Sequence, residues 1–231
     1  MAKHIGIVAC SAEGAALCYR TICAQAPSEM GEHRHPEISM HTHPLSEYMV
    51  HIGSGEWEKV GQLMLSSAHK VAQAGADFII CPDNTIHQAF DLVVPKSPIP
   101  WLHIAEVVTE ESKQRGFTHP GILGTKYLMT GPVYPDAFRK LRLSCEIPEK
   151  QERERIDDII FKELVNGIFT EKSRLYFNDV IRDFKQRGCD AVVLGCTEIP
   201  LIVKANDCPL PTLDSTRLLA RAALRKALEK V

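Results

Sequence analysis

Gly188-Cys189-Asp190-Ala191-Val192-Val193-Leu194-Gly195-Cys196-Thr197 is the stretch that decides the fold, because the chain contains it twice. The earlier copy reads Gly75-Ala76-Asp77-Phe78-Ile79-Ile80-Cys81-Pro82-Asp83-Asn84-Thr85. Setting Gly75 on Gly188 and Asp77 on Asp190 carries through the apolar run without a gap and places Asp83 on Cys196. Each copy follows an amphipathic helical pattern, crosses a short buried strand and ends in small polar residues. That is one strand–helix unit used twice, with an ionisable side chain just after each strand. In open α/β sheets ligands bind beyond the carboxyl ends of the strands. Asp83 and Cys196 are therefore expected to face each other across a cleft between two related halves.

Working outward, Ile5 to Ala9 reads as a buried strand, and Cys10-Ser11-Ala12-Glu13-Gly14 as the turn into a helix ending near Ala26-Pro27, with Ser11 as its N-cap. A strand is expected from Glu37 to His41. The helix opened by Glu56-Trp57 carries Val60, Leu63, Met64, Ala68, Val71 and Ala72 at helical spacing and stops at Gly75. Asp83-Asn84-Thr85 opens a further helix, Ile99–Ile104 reads as a short strand, and a helix runs through Lys113-Gln114-Arg115-Gly116. The second half restarts at Gly121-Ile122-Leu123-Gly124, an echo of Gly6-Ile7-Val8-Ala9. It continues with a helix at Pro135–Arg142, a strand around Leu143–Glu146, a charged helix after Pro148, and a helix Ser173–Arg187. Asp214 is expected to cap a terminal helix rich in Ala and Leu. Strands alternating with helices predict an α/β fold of two pseudo-symmetric halves, each a parallel sheet flanked by helices. The expected halves are 1–104, completed by the C-terminal helix 214–231, and 105–213.

Composition excludes several classes. The chain has 231 residues, 45% hydrophobic and 24% charged, with a net charge of −2, so neither a basic excess nor a basic block marks a nucleic-acid or anionic-membrane surface. No apolar run reaches the roughly 18 residues that span a bilayer. Met1-Ala2-Lys3-His4-Ile5 reads as a lead into a strand rather than a targeting segment. The eight cysteines are scattered, with no C-x-x-C pair, which predicts free thiols and a cytoplasmic setting.

Cys196 and Asp83 are the candidate catalytic residues. Gly195 lets the backbone approach closely, and Thr197 begins the next helix, whose N-terminus favours a thiolate. Asp83 has two readings: the N-cap of the following helix, or a cleft residue if Asn84 or Thr85 caps instead. The repeat supports the second, because it sets Asp83 on Cys196. His33, His35, His41 and His43 cluster in sequence. They lack a cysteine or carboxylate at ligand spacing, so loop hydrogen bonding is expected of them rather than a metal site.

Gly195-Cys196-Thr197-Glu198-Ile199-Pro200-Leu201, with Asn84-Thr85-x-His87, resembles the aspartate/glutamate racemase superfamily over nearly the whole chain. The resemblance implies a two-domain α/β protein with its site at the domain interface, a homodimer, and a small amino or carboxylic acid as substrate. It implies acid–base chemistry by two cysteines on opposite faces of the substrate's α-carbon, without pyridoxal phosphate, other cofactor or metal. Cys196 matches the second cysteine. The first is replaced, since the family pattern Cys-Asn-Thr-x-His here reads Asp83-Asn84-Thr85-Ile86-His87. Asn84, Thr85 and Thr197 match residues that hold the substrate carboxylate, and Ser11 and Thr42 lie in loops corresponding to substrate-contacting ones. A substrate-contacting lysine of some members falls near Lys162–Gly167, where Lys162 and Asn166 stand.

The resemblance thus implies a racemase or epimerase using Asp83 and Cys196 as opposed proton carriers. With reference pKa values of about 3.9 and 8.5, a carboxylate and a thiol form the correct pair for one direction. A single cysteine also suits a decarboxylase or a cis–trans isomerase of an unsaturated diacid, and a binding protein would keep the cleft without the chemistry.

Overall fold

The computed structural model describes residues 2–229. In chain order it forms β1 (Ile5–Ala9), α1 (Ala12–Met30), β2 (Ile38–Thr42), α2 (Leu45–Ser54), α3 (Trp57–Gln73) and β3 (Phe78–Ile80). A 3-10 turn at Thr85–Ala89, α4 (Phe90–Val93), β4 (Trp101–Leu102) and α5 (Ile104–Gln114) follow. Then come β5 (Gly121–Leu123), α6 (Lys126–Thr130), α7 (Val133–Lys140), α8 (Lys150–Lys162) and α9 (Glu171–Gln186). The chain finishes with β6 (Val192–Leu194), α10 (Ile199–Ile202), β7 (Thr212–Asp214) and α11 (Ser215–Leu228). It divides into two units: one runs to Val107 and resumes at Thr216, and the other is Val108–Ser215. The first contains the sheet β2-β1-β3-β4 and the second β5-β6-β7, with every pairing parallel. The α/β class with helix-flanked parallel sheets is therefore as the sequence predicts.

The repeated Gly-x-Asp has a structural cause visible in each unit separately. Gly75 and Gly188 end α3 and α9 at φ 97° and 88°. Two residues on, the Asp77 carboxylate accepts from the backbone N–H of His4 at 2.6 Å, while the Asp77 N–H returns to the His4 carbonyl at 2.8 Å. Asp190 does the same for the second sheet, accepting from the N–H groups of Thr118 (2.6 Å) and His119 (3.1 Å) and donating to the His119 carbonyl. Each aspartate closes the start of the strand beside it, by hydrogen bonds worth about 1 kcal/mol each where solvent screens them.

The strands so aligned are crossed closely by the preceding helices. A Cβ on Gly6 would lie 2.8 Å from Val71 of α3, and one on Gly121 would lie 2.4 Å from the ring of Phe184 in α9. Glycine at both places lets the helix settle onto the strand. On the opposite face of the first sheet, Ile5, Ile7, Phe78 and Ile80 pack with Cys18 and Ile22 of α1 and with Leu219, Ala220, Ala223 and Ala227 of α11. The second core joins Ile156, Ile159 and Ile160 of α8 to Phe177, Ile181 and Phe184 of α9 and to Val192 and Leu194. Each such buried side chain contributes about 1.5–3 kcal/mol. In both units the helices cover the sheet faces and leave the carboxyl ends of the strands to the loops that carry the candidate residues.

Several elements differ from expectation. α1 runs past Pro27 to Met30, and the Gly31 N–H closes it on the Pro27 carbonyl. Leu143–Glu146 is not a strand. Arg142 turns left-handed (φ 58°), and only Glu146 forms a parallel bridge, to Gly121. The Ile99–Ile104 strand shrinks to Trp101–Leu102 as α5 starts at Ile104. The helix expected at Asp83 is a 3-10 turn from Thr85, continued by one turn of α4. Asp214, by contrast, stands directly ahead of α11, at the cap position expected of it.

Candidate active site

At the carboxyl edge of the first sheet, the β1–β2 register pairs Ala9 with Thr42, so the loops after both strands open at the same level. Ser11 caps α1, its Oγ accepting from the Gly14 N–H at 3.3 Å. Thr42 is exposed and donates its hydroxyl to the His43 carbonyl. β3 leads through the fully buried Cys81 and Pro82 to Asp83, which is half-buried, while Asn84 and Thr85 are buried. The five residues assigned to this half thus share one sheet edge. Asn84, in helical conformation and without a side-chain cap bond, precedes the 3-10 turn.

His87 holds the Asp83 loop. Its Nδ1 lies 2.7 Å from the Asp83 carbonyl oxygen, and its Nε2 accepts from the Ile104 N–H at 3.4 Å. The ring stacks on Phe90 and meets His103 edge-on. A carbonyl can only accept, so Nδ1 carries the proton and the imidazole is neutral. Burial, then the neighbouring His103, holds the His87 pKa well below its usual value. The sign for stability follows: the unfolded chain binds a proton at this histidine below about pH 6.5 and the folded chain does not. Stability should fall as pH drops through that value, by about 1.4 kcal/mol per pH unit until the folded pKa is reached. Urea titrations of wild type and His87→Gln at pH 7.5 and 5.5 check this; the variant should be less stable at pH 7.5 and lose less on acidification, and equal slopes would contradict it.

In the second unit, β6 ends at Leu194, and Gly195 follows with its N–H on the Leu123 carbonyl at 2.7 Å. A Cβ there would sit 2.8 Å from that same oxygen, so only glycine allows the chain to pass. Cys196 is partly exposed. Its thiol donates to Glu198 Oε2 at 2.9 Å, and the Thr197 hydroxyl donates to the same oxygen at 2.8 Å. Glu198 and Thr197 are 4% and 5% exposed. The expected help from a following helix is small, since α10 is a single turn. What Cys196 has beside it is a buried carboxylate that can take its proton, the pair carrying one negative charge either way. The donor of Thr197, expected on the substrate, is spent on Glu198.

Residues 5–223 match the model of the Asp/Glu/hydantoin racemase family. The chain belongs to that family. It is similar in structure to a candidate Asp/Glu racemase from Yersinia pestis, with a TM-score of 0.90 and 31% identity, covering 98% of this chain and all of that one. An aspartate racemase homologue from Pyrococcus horikoshii OT3 superposes with a TM-score of 0.86 at 28% identity, again over 98% and 100% of the two chains. In sequence the chain is 19% identical over 171 residues, 72% of each protein, to the broad specificity amino-acid racemase RacX of Bacillus subtilis (strain 168).

Glu198 is the racemase-family residue to which the sequence reading gave no role, although it stands within the quoted Gly-Cys-Thr-Glu. A carboxylate two residues from a thiol was the available signal, and its burial was not readable. Lys162 instead pairs with Asp158 at 2.8 Å, and Asn166 bonds the carbonyls of Phe161 and Lys162. The four histidines take separate partners: His33 pairs with Glu32, His35 bonds the Pro36 carbonyl, His41 meets Ser67 and His43 meets Ser66. Among the described residues no three His, Cys, Asp or Glu side chains converge as a metal site would require. No helix of the described residues is long and apolar enough to cross a membrane.

Proposed function

We propose that the protein is a cofactor-independent racemase or epimerase acting at the α-carbon of an amino acid, with Asp83 and Cys196 as its two proton carriers. The observation that carries the reading is the Cys196–Glu198 contact at 2.9 Å, at the position the repeat equates with Asp83. A thiol touching a buried carboxylate can pass its proton across and become a thiolate base, with no change in net charge. In one direction the Asp83 carboxylate takes the α-proton while the Cys196 thiol delivers its own to the other face. In the reverse direction the thiolate takes the α-proton and protonated Asp83 delivers, starting from the state in which the first direction ends and with Glu198 in the same protonation state in both. The α-proton of an amino acid is weakly acidic, so charge developing on the substrate carboxylate must be stabilised. The amides and side chains of Asn84 and Thr85, with the Thr197 amide, are the groups assigned to it.

The negative charge of Asp83 disfavours an acidic side chain, so neutral and basic amino acids are expected to react best, a breadth for which RacX offers a parallel. Proton NMR in deuterated water with a panel of acidic, neutral and basic amino acids tests the proposal. Loss of the α-proton signal with appearance of the other enantiomer is expected for at least one. Carbon dioxide release would instead mark the one-cysteine decarboxylase that the missing first cysteine allows, and binding without exchange would leave only a binding protein.

A further inference from the structure

β2 is an edge strand, paired with β1, and its last partner in that register is Ala9, opposite Thr42. Beyond Thr42 the ladder stops, and Pro44 has no N–H with which to extend it. Side chains of α3 take over there. His41 Nδ1 lies 2.9 Å from Ser67 Oγ, and His43 Nε2 lies 3.2 Å from Ser66 Oγ. The two rings meet edge-on, their centroids 4.9 Å apart. Further along α3, Lys70 places Nζ 2.9 Å from His41 Nε2. An ammonium can only donate, so Nε2 accepts, and the neutral His41 ring carries its proton on Nδ1 toward Ser67. Burial first, then Lys70 and His43, lower the His41 pKa, which keeps the ring in that neutral form.

Both histidines thus reach the same helix, and side chains alternate along a strand, so Thr42 between them is turned to the other face. Holding a strand on either side of one residue fixes its twist there, and with it the direction of that side chain. The Thr42 hydroxyl is oriented as well, because it donates to the carbonyl of His43 at 2.9 Å. A hydroxyl has one proton and two lone pairs, so Thr42 meets a ligand as an acceptor. An ammonium only donates, and a carboxylate only accepts. We infer that His41 and His43 are positioning residues that brace the end of β2 on α3, so that Thr42 presents an acceptor to the substrate's ammonium. This rests on the reading of the protein as acting on an amino acid. It gives a partner to the amino group, which the groups assigned to the carboxylate leave without one.

Thr42 so placed holds the substrate equally in the ground and transition states, and its loss should raise KM while sparing kcat. Thr42→Val, which keeps the shape without the hydroxyl, should raise KM about tenfold with kcat within about threefold of wild type. His43→Ala should do the same through Thr42. His43→Gln sets its amide where Nε2 stands and should bring KM back to within about twofold of wild type. His41→Asn likewise keeps a donor at the Nδ1 position, so its KM should rise less than that of His41→Ala. The double variant Thr42→Val with His43→Ala decides between a brace and a merely structural histidine. A residue acting through Thr42 has nothing left to position once that hydroxyl is gone, so KM should stay within about twofold of Thr42→Val alone. A structural histidine would add its own loss.

Kinetics would be measured with the panel amino acid that exchanges fastest. Calorimetry would give Kd for that amino acid and for its deamino analogue, the same acid without the amino group. His43→Ala should weaken the amino acid about tenfold and the analogue by less than about twofold, since only the first brings an ammonium to Thr42. Four results would each overturn the brace while the racemase reading stands: additive losses in the double variant, equal weakening of the analogue, a loss falling on kcat instead of KM, or an unchanged KM in both His41→Ala and His43→Ala. Failure of His43→Gln to recover KM would overturn it too. If wild-type protein binds a panel amino acid without exchanging its α-proton, the racemase reading fails and the brace is judged on Kd by the same comparisons. If it binds none, both fall.

Discussion

Cys196→Ser is expected to lower α-proton exchange by on the order of a thousandfold, in both directions and with the fold intact. A serine hydroxyl is a far weaker acid than a thiol, so the carrier at this position is lost whichever face it serves. The Glu198 contact sharpens the expectation. If Glu198 is what turns the thiol into a base, Glu198→Gln keeps size and hydrogen bonding but can no longer take the proton. Its loss should then be about tenfold to a hundredfold, smaller than that of Cys196→Ser, and it should be largest where Cys196 acts as base. Because the equilibrium constant of a racemisation is one, kcat/KM must fall equally from both enantiomers. The asymmetry would be read in kcat. Thiol alkylation adds an independent readout: iodoacetamide should modify Cys196 faster in Glu198→Gln, since the adjacent carboxylate charge that disfavours a thiolate is removed. Full activity in Cys196→Ser would remove this residue from the mechanism. Unchanged kinetics and alkylation in Glu198→Gln would reduce Glu198 to a packing and positioning role.

The parts of this architecture legible in the sequence are those that the repeat carries twice. Gly75 with Gly188, Asp77 with Asp190 and Gly6 with Gly121 each do one job in each unit, and matching residues exposed the matching structure. Some elements that the repeat does not carry were missed or misread. α2 offers only Tyr48 and Ile52 as buried residues, one turn apart, and Pro44 and Gly55 bound it like a loop. β7 is three residues long, too short for any alternation to register. Leu143–Glu146 has a strand's composition but lies at the sheet margin, where a left-handed Arg142 leaves a single bridge. Sequence spacing singled out Cys196 and the loop after Asp83 as candidates. The buried Glu198, the clamp by His87 and the line from Ser67 through His41 to Lys70 depend on contacts between elements or on burial, to which a one-dimensional pattern is blind.

Asp83→Asn should be nearly as damaging as Cys196→Ser, costing about a hundredfold or more, because the amide keeps the shape but neither accepts nor delivers a proton at neutral pH. The loop itself should survive, since what anchors it is the Asp83 carbonyl on His87, which the side-chain change does not touch. Unaltered urea midpoints would confirm that the loss is chemical. Asp83→Cys is the sharper experiment. It supplies a second thiol at the place where the family pattern has one, and it removes the negative charge that the proposed mechanism sets beside the substrate. Two outcomes follow from those separate causes. A thiol is the weaker base at pH 7, so exchange on a neutral amino acid should fall or hold level. Relief of charge repulsion should raise kcat/KM for aspartate or glutamate by about tenfold, since a like charge close to the ligand costs on the order of 1 kcal/mol even where solvent screens it. A selectivity ratio that moves toward acidic amino acids would show that Asp83 sets the substrate as well as carrying a proton. Near-wild-type exchange in Asp83→Asn, with Cys196→Ser inactive, would instead point to a one-base enzyme in which Asp83 governs specificity alone.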